Sequence, residues 1–267
     1  MRKYKLNEYF FDEINEKSAY WLGFLYADGC VRMKNGRSGE LKLKLKDTDK
    51  SHIEKFLKDL ECDTPIKFNQ EKNSKFCYCY INSNYMIKKL FELGCVENKT
   101  QKIRLPNLSS KHIFHFLRGY FDGDGSISKL KNRPNSFVAS ICSNKNFIED
   151  IAKFLGFGKI YEYENYSVLK INKLNEIKKF RNYLYEDSKT FLLRKYEKFN
   201  LIIDDYQRDY SKTKNKKEYK LINPNGNVIL TKNLRKFCED NKLKYSTMSN
   251  LSRGIGKTNG GWKCYLN

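Results

Sequence analysis

The sequence predicts an α+β fold: two similar half-domains related by a pseudo-twofold axis, followed by a small C-terminal module. Three observations carry that prediction: an internal repeat, strands that alternate apolar and basic residues, and a change of pattern after Asn200. The repeat opens with YWLGFLYADGCV (Tyr20 to Val31) and FLRGYFDGDGSI (Phe116 to Ile127), which set Asp28-Gly29 and Asp124-Gly125 96 residues apart. Downstream, SHIEKFLKDL from Ser51 matches NFIEDIAKFL from Asn146, and MIKKLFELG from Met86 matches EIKKFRNYL from Glu176. NKT at Asn98 matches SKT at Ser188, and these last two matches are 90 residues apart, so the second copy is the shorter inside. Four matches in one order indicate a duplication.

Each copy reads as helix, strands, helix, strand pair, helix. ELKLKLK (Glu40 to Lys46) alternates strictly, with Leu41, Leu43 and Leu45 on one face and Lys42, Lys44 and Lys46 on the other. IKFNQ and FCYCYIN supply further strands of the first copy, SFVASICS and YSVLKIN those of the second. Helical spacing follows from Ile53, Phe56, Leu57 and Leu60, and again from Ile148, Ile151, Ala152 and Leu155. The expected organisation is a first half-domain over 1–110, a second over 111–204, a basic linker over 205–218 and a module over 219–267. In that module Pro224-Asn225-Gly226 marks a hairpin turn, Asn233 and Ser246 are candidate helix caps, Gly254 a helix stop and Trp262 a core plug. Two short helices joined by a turn suggest a helix-turn-helix-like unit, with Lys242, Lys244 and Arg253 as candidate DNA contacts.

A net charge of +21 favours a polyanionic partner, nucleic acid before an anionic membrane surface. The longest apolar run, Ala19 to Ala27, is far short of the ~20 residues a bilayer span requires. The first ten residues show neither an apolar core nor a small-residue cleavage site, so no secretion signal is expected, and an intracellular chain is. Eight cysteines without a C-x-x-C pair fit reduced thiols better than a zinc ribbon or a disulfide scaffold.

The repeated helices carry the chemistry. Gly23 and Ala27, like Gly119 and Gly123, lie four apart, a bare stripe that lets two helix backbones approach. If these helices pack on each other, Asp28 and Asp124 meet at their C-terminal ends. Two carboxylates at the negative ends of two helix dipoles repel, and a divalent cation relieves that repulsion. Oxygen ligands with no histidine nearby suit Mg²⁺ or Mn²⁺ better than zinc. Asp-Gly is also a common turn, and Gly29 and Gly125 could be simple helix caps.

WLGFLYADG (Trp21 to Gly29) and LRGYFDGDG (Leu117 to Gly125) resemble the nine-residue signature of the LAGLIDADG homing endonucleases, over roughly residues 15–200. The resemblance implies the single-chain form: a monomer with internal pseudo-twofold symmetry, two half-domains forming a β-saddle on DNA, and signature helices crossing at the centre. It implies double-stranded DNA cleavage at a long, asymmetric site, with Asp28 and Asp124 as metal ligands and the carbonyls of Ala27 and Gly123 assisting. It also implies a basic residue beside each metal, for which Lys99 and Lys189 match best and Lys102 competes with Lys99. Trp21 and Arg118 depart from the small or aliphatic signature residues, Tyr26 stands where an acid is frequent, and Asp122 is expected to be structural. The Lys42/Lys44/Lys46 face would track DNA backbone or read guanines, or would be a merely solvated strand face. A non-catalytic binder of the same fold, a maturase or a regulator, is the alternative function.

Overall fold

The computed structural model describes residues 3–34, 38–130, 133–214 and 218–266. These form two compact units, 1–203 and 204–267.

In the first unit, α1 (Glu16–Asp28) begins where the Asn15 side chain accepts from the amides of Lys17 and Ser18 while Ser18 Oγ accepts from the Asn15 amide. β1 (Gly29–Lys34) and β2 (Ser38–Lys46) form a hairpin, α2 (Lys50–Asp59) follows, and β3 (Lys67–Glu71) and β4 (Ser74–Asn82) form a second hairpin before α3 (Asn84–Glu92). The second half repeats this path with α4 (Ser110–Asp124), β5 (Ser126–Leu130), β6 (Arg133–Ser143), α5 (Lys145–Leu155), β7 (Lys159–Glu162), β8 (Ser167–Ile171) and α6 (Leu174–Tyr185). The duplication read from the sequence is thus a duplication of topology. One antiparallel sheet has the order β1-β2-β4-β3, the other β5-β6-β8-β7.

The strand alternation sorts the faces as predicted. Leu41, Leu43 and Leu45 are buried, with Cys77, Cys79 and Ile81 of β4 on the same side. α3 packs on this face, where any side chain at Gly39 would meet Ile87. The opposite face carries Arg32, Lys34, Lys42, Lys44 and Lys46 with Phe76, Tyr78 and Tyr80 between them.

A 22-residue helix, α7 (Leu193–Lys214), runs from the first unit through most of the segment expected as a linker; residues 215–217 of that segment lie outside the described residues. The second unit contains β9 (Tyr219–Ile222), β10 (Val228–Thr231), α8 (Leu234–Asp240), α9 (Tyr245–Leu251) and β11 (Lys263–Leu266), with sheet order β10-β9-β11. Its core is Leu221, Leu234, Cys238, Met248, Leu251 and Cys264, with Trp262 only partly buried at the margin. Asn233 caps α8 by accepting from the Lys236 amide, and Gly254 turns the chain at φ 79° after α9. Ser246 is not a cap: α9 starts one residue earlier, after Lys244. The closing strand β11 had no signal of alternation in the sequence. No helix among the described residues is long and apolar enough to cross a membrane.

Candidate catalytic centre

Helices α1 and α4 cross at their glycines. A Cβ on Gly23 would strike the Phe116 carbonyl, and one on Gly119 would strike the Tyr20 carbonyl and come within 2.8 Å of the Phe24 nitrogen. Both glycines have backbone, not a yielding side chain, as their neighbour, so the crossing requires them. One turn on, a Cβ on Gly123 would press on the Ala27 methyl and lie 3.1 Å from Asp28 Oδ2. The Asp28 carboxylate therefore lies against the last turn of α4, beside Asp124. Gly29 and Gly125 leave their helices with extended backbone (φ −74° and −72°), not as left-handed caps. Their missing side chains clear Leu25 and Phe121 of the helix just ended.

Burial, followed by the Asp124 charge, pushes the Asp28 carboxyl up to about 6; Lys99, Lys195 and Arg194 oppose that rise. Asp124 is exposed as a residue, yet loss of water around its carboxyl raises it too, against the Lys99 and Lys195 charges. Asp122 is fully buried and belongs to the framework. Its carboxylate accepts from the hydroxyls of Tyr20 (2.8 Å) and Tyr185 (2.6 Å) and from the Leu192 amide (2.7 Å).

Two lysines hold the helix ends. Lys99 Nζ donates to the carbonyls of Leu25 (2.7 Å), Ala27 (2.7 Å) and Gly29 (2.6 Å). Lys195 Nζ donates to the carbonyls of Phe121 (3.2 Å) and Gly125. An ammonium among the orphan carbonyls of a helix C-terminus is favourable for charge and for hydrogen bonding alike. Desolvation lowers both lysines, Lys195 to about 8, while the Asp28 and Asp124 charges oppose the fall. Lys102 is exposed and does not compete for this position.

The Lys189 side chain is not brought to the centre: it is exposed, and its backbone amide donates to Glu16 Oε1. The counterpart of Lys99 is Lys195, missed because the NKT/SKT match favours an offset of 90. A signal for it existed, since Lys99 and Lys195 are 96 residues apart, as are Asp28 and Asp124. Arg194 beside it forks onto Asp49 at 3.0 and 2.9 Å, pinning the start of α7 to the first half.

On the basic sheet face, Lys42 Nζ lies 5.0 and 5.3 Å from the ring centres of Tyr78 and Tyr80, and Lys44 Nζ lies 4.2 Å from that of Phe76 while pairing with Glu71. Lys46 is exposed. In the second unit Lys242 and Lys244 are exposed, and Arg253 folds back onto the Ser249 carbonyl and hydroxyl.

Among the described residues no group of three or more His, Cys, Asp or Glu gathers as a metal cage. Two carboxylates with main-chain oxygens beside them form a hard-donor set, suited to a cation that keeps water or substrate oxygens as its other ligands.

Residues 111–185 match the LAGLIDADG-like domain. Two solved structures share the fold. The LAGLIDADG homing endonuclease I-GzeII, in complex with its DNA target, has a TM-score of 0.52 and 17% identity over 75% of this chain and 92% of that one. The LAGLIDADG meganuclease I-AabMI, bound to uncleaved DNA, has a TM-score of 0.54 and 14% identity over 75% and 93%. The second half-domain thus carries the LAGLIDADG-like domain match, and the fold of two half-domains is that of these two solved structures. Replication factor C small subunit of Methanocaldococcus jannaschii is 30% identical over 170 residues, which is 61% of this chain and 8% of that protein. The chain thus spans a small part of that relative.

Proposed function

We propose that the chain is a site-specific endonuclease that hydrolyses both strands of a long, asymmetric duplex DNA target. It would act inside a cell, as a monomer, with Mg²⁺ or Mn²⁺ as cofactor. The observation that carries this reading is the meeting of Asp28 and Asp124 where two helices cross. A protein that only bound nucleic acid would gain nothing from carboxylates gathered where phosphates approach.

Asp28 and Asp124 would hold the metal, with the carbonyls of Ala27 and Gly123 as further oxygens. A bound divalent ion supplies a water of lowered pKa and charge stabilisation for the leaving oxygen. The chain's own part is positioning and charge. The crossed helices fix the two carboxylates relative to each other. Lys99 and Lys195 hold positive charge beside them, favouring their ionised form and the approach of phosphate. The three hydrogens of Lys99 meet three carbonyls, so it serves as a clamp and a fixed charge. Lys195 meets two and retains a donor for a phosphate oxygen.

The Lys42/Lys44/Lys46 face would follow the DNA backbone or read guanines, and Lys242, Lys244 and Arg253 would add contacts from the C-terminal module, taken as 219–267. In a cleavage assay with Mg²⁺ on a random-site library, Asp28→Asn and Asp124→Asn should each lose more than about 10³-fold in rate while duplex binding persists. Wild-type rates in either variant would refute the assignment. A wild-type chain that binds nucleic acid but never cuts would be a maturase or regulator.

A further inference from the structure

Away from the crossed helices, at the far end of β1, lies a cavity of about 510 Å³. Five cationic side chains line it: Lys3 and Lys5 from the N-terminal arm, Arg32 and Lys34 from β1, and Lys67 from β3. Tyr4 and Tyr80 form its aromatic walls, and Glu40 is its one carboxylate. That carboxylate is buried and already committed, since it accepts from both Arg32 and Lys34, which lowers it despite its burial. One buried acid thus holds two cations in place and neutralises only one. Lys5 is partly offset as well, through Glu61 at 3.2 Å.

The arm is placed, not merely nearby. The Lys5 amide donates to Asp63 Oδ1 at 2.6 Å, and the Asn7 amide donates to the Leu60 carbonyl at 2.9 Å. Arg32, Lys34, Glu40 and Tyr80 belong to the sheet face that carries Lys42, Lys44 and Lys46, so the cavity continues that basic surface away from Asp28. From Gly29 to Lys34 the strand advances roughly 16 Å. This is about the reach of five base pairs along a duplex, each adding ~3.4 Å per strand.

We propose that this cavity is a phosphodiester site in which the N-terminal arm clamps the DNA backbone at the outer flank of the half-site bound by the first half-domain. The inference rests on the endonuclease reading only in needing a duplex ligand. The chemistry, clustered ammonium and guanidinium groups with tyrosine walls, would also suit the phosphate of a free nucleotide. Continuity with the basic sheet face assigns it to duplex.

The arm with Lys3 and Lys5 lines the first half's sheet, and at two ladder positions the second half is neutral, Arg32 and Lys42 corresponding to Ser128 and Ser140. The clamp is therefore one-sided, and protection of the DNA should extend further on one flank than on the other.

The test uses the full chain, a duplex selected by binding in Ca²⁺ from a random-site library, and the double variant Lys3→Ala/Lys67→Ala. Lys88→Ala, an exposed change on α3, serves as the control. The double variant should reduce the slope of log affinity against log salt by about 2, from the loss of two phosphate contacts. Ethylation interference should disappear at one outer flank and nowhere else, with the control unchanged. An unaltered slope and symmetric interference would overturn the clamp while leaving the endonuclease reading intact. Displacement of bound AMP by the variants, with duplex affinity untouched, would assign the cavity to a small molecule and also overturn it. No selectable duplex for the wild-type chain would refute the endonuclease reading itself, and the clamp with it.

Discussion

The two half-domains follow the same path through space with different chemistry along it. Both sheets have the same strand order, and both signature helices end on an aspartate whose neighbouring carbonyls are held by a lysine, half-buried in the first half and buried in the second. The anchoring of the helices differs. Helix α1 is fixed by apolar burial and single polar ties: Trp21 Nε1 donates to Asp59 at 2.9 Å, and the Tyr26 hydroxyl donates to the Leu93 carbonyl at 2.6 Å. Helix α4 instead buries Arg118 and Asp122. The guanidinium of Arg118 donates to the carbonyls of Thr190 and Leu184 and pairs with Glu16, while Asp122 takes up three donors. The difference follows from the connection each helix must hold. The segment between α6 and α7 is irregular backbone that packs against α4 and needs partners for its amides and carbonyls. Duplication therefore fixes where the aspartates stand, and each half satisfies its own loops by its own means.

The sheet faces differ in the same way. Cys30, Arg32, Glu40 and Lys42 in the first half occupy ladder positions taken by Ser126, Ser128, Val138 and Ser140 in the second. One face offers cations over several aromatic rings, the other hydroxyls with Lys170 and Lys159 over the single ring of Tyr161 at 4.5 and 5.3 Å. If the chain reads DNA with both, the first face adds the Arg32 and Lys42 charges to the salt-dependent affinity where the second offers the hydroxyls of Ser128 and Ser140.

The comparison breaks first if the shared part is not what sets the geometry. Gly23→Ala and Gly119→Ala should each cost more than about 3 kcal/mol in denaturant unfolding, because each added methyl meets main chain on the facing helix. Gly156→Ala, where open space surrounds a left-handed glycine (φ 72°), should cost only about 1 kcal/mol. Equal, small losses at all three positions would mean that the helices do not cross where the glycines are.

That crossing was legible in the sequence, because a missing side chain four residues from another is a local pattern. So were the aspartates, the buried leucine face of β2 and the hairpin at Pro224-Asn225-Gly226. Lys195 was not. Its relation to Lys99 depends on how two connections of different length return to the same place, and the short SKT match at Ser188 pulled the alignment six residues early. Arg118 was visible as a departure from a signature, and Asp122 as an acid expected to be structural. Their partners, the carbonyls of Leu184 and Thr190 and the amide of Leu192, are main-chain groups that no side-chain pattern announces. Helix α7 was hidden by its own composition, since a lysine-rich stretch with few apolar residues looks the same whether helical or extended.

The unequal anchoring gives the next prediction. Asp122→Ala strands two tyrosine hydroxyls and one amide in a buried site, and should cost about 3 kcal/mol. Tyr26→Phe, at the position of the first copy that corresponds to Asp122, gives up one hydrogen bond to Leu93 and should cost about 1 kcal/mol. Thermal or urea unfolding of both variants measures the contrast. Similar losses in the two would remove the distinction between a networked helix and a singly tied one.

The smallest effect concerns acid, and it too belongs to one half. His52 of α2 is buried with its Nε2 at 2.9 Å from the Tyr20 hydroxyl, and its place in the second copy is held by an apolar side chain. The hydroxyl hydrogen of Tyr20 goes to Asp122, so neutral His52 must donate through Nε2–H. Burial lowers the imidazole to about 3, with the Lys55 and Arg194 charges adding to the fall. Between the unfolded value near 6.5 and that folded value, the unfolded chain takes a proton which the folded chain refuses. Stability is then lost as pH falls, by up to about 1.4 kcal/mol per unit. The buried carboxyl of Asp122, raised to about 6, acts in the opposite sense below that pH, because the folded chain protonates it first. Asp28, raised to about 6, and His115, lowered to about 4, add to the absolute pH profile, so only a difference isolates His52. His52→Gln keeps an N–H donor for Tyr20 but cannot titrate. Its stability deficit relative to the parent chain should shrink by about 1.6 kcal/mol between pH 6.5 and pH 5. A deficit that stays constant across that range would mean that His52 takes up its proton as readily folded as unfolded, and is not buried neutral against Tyr20.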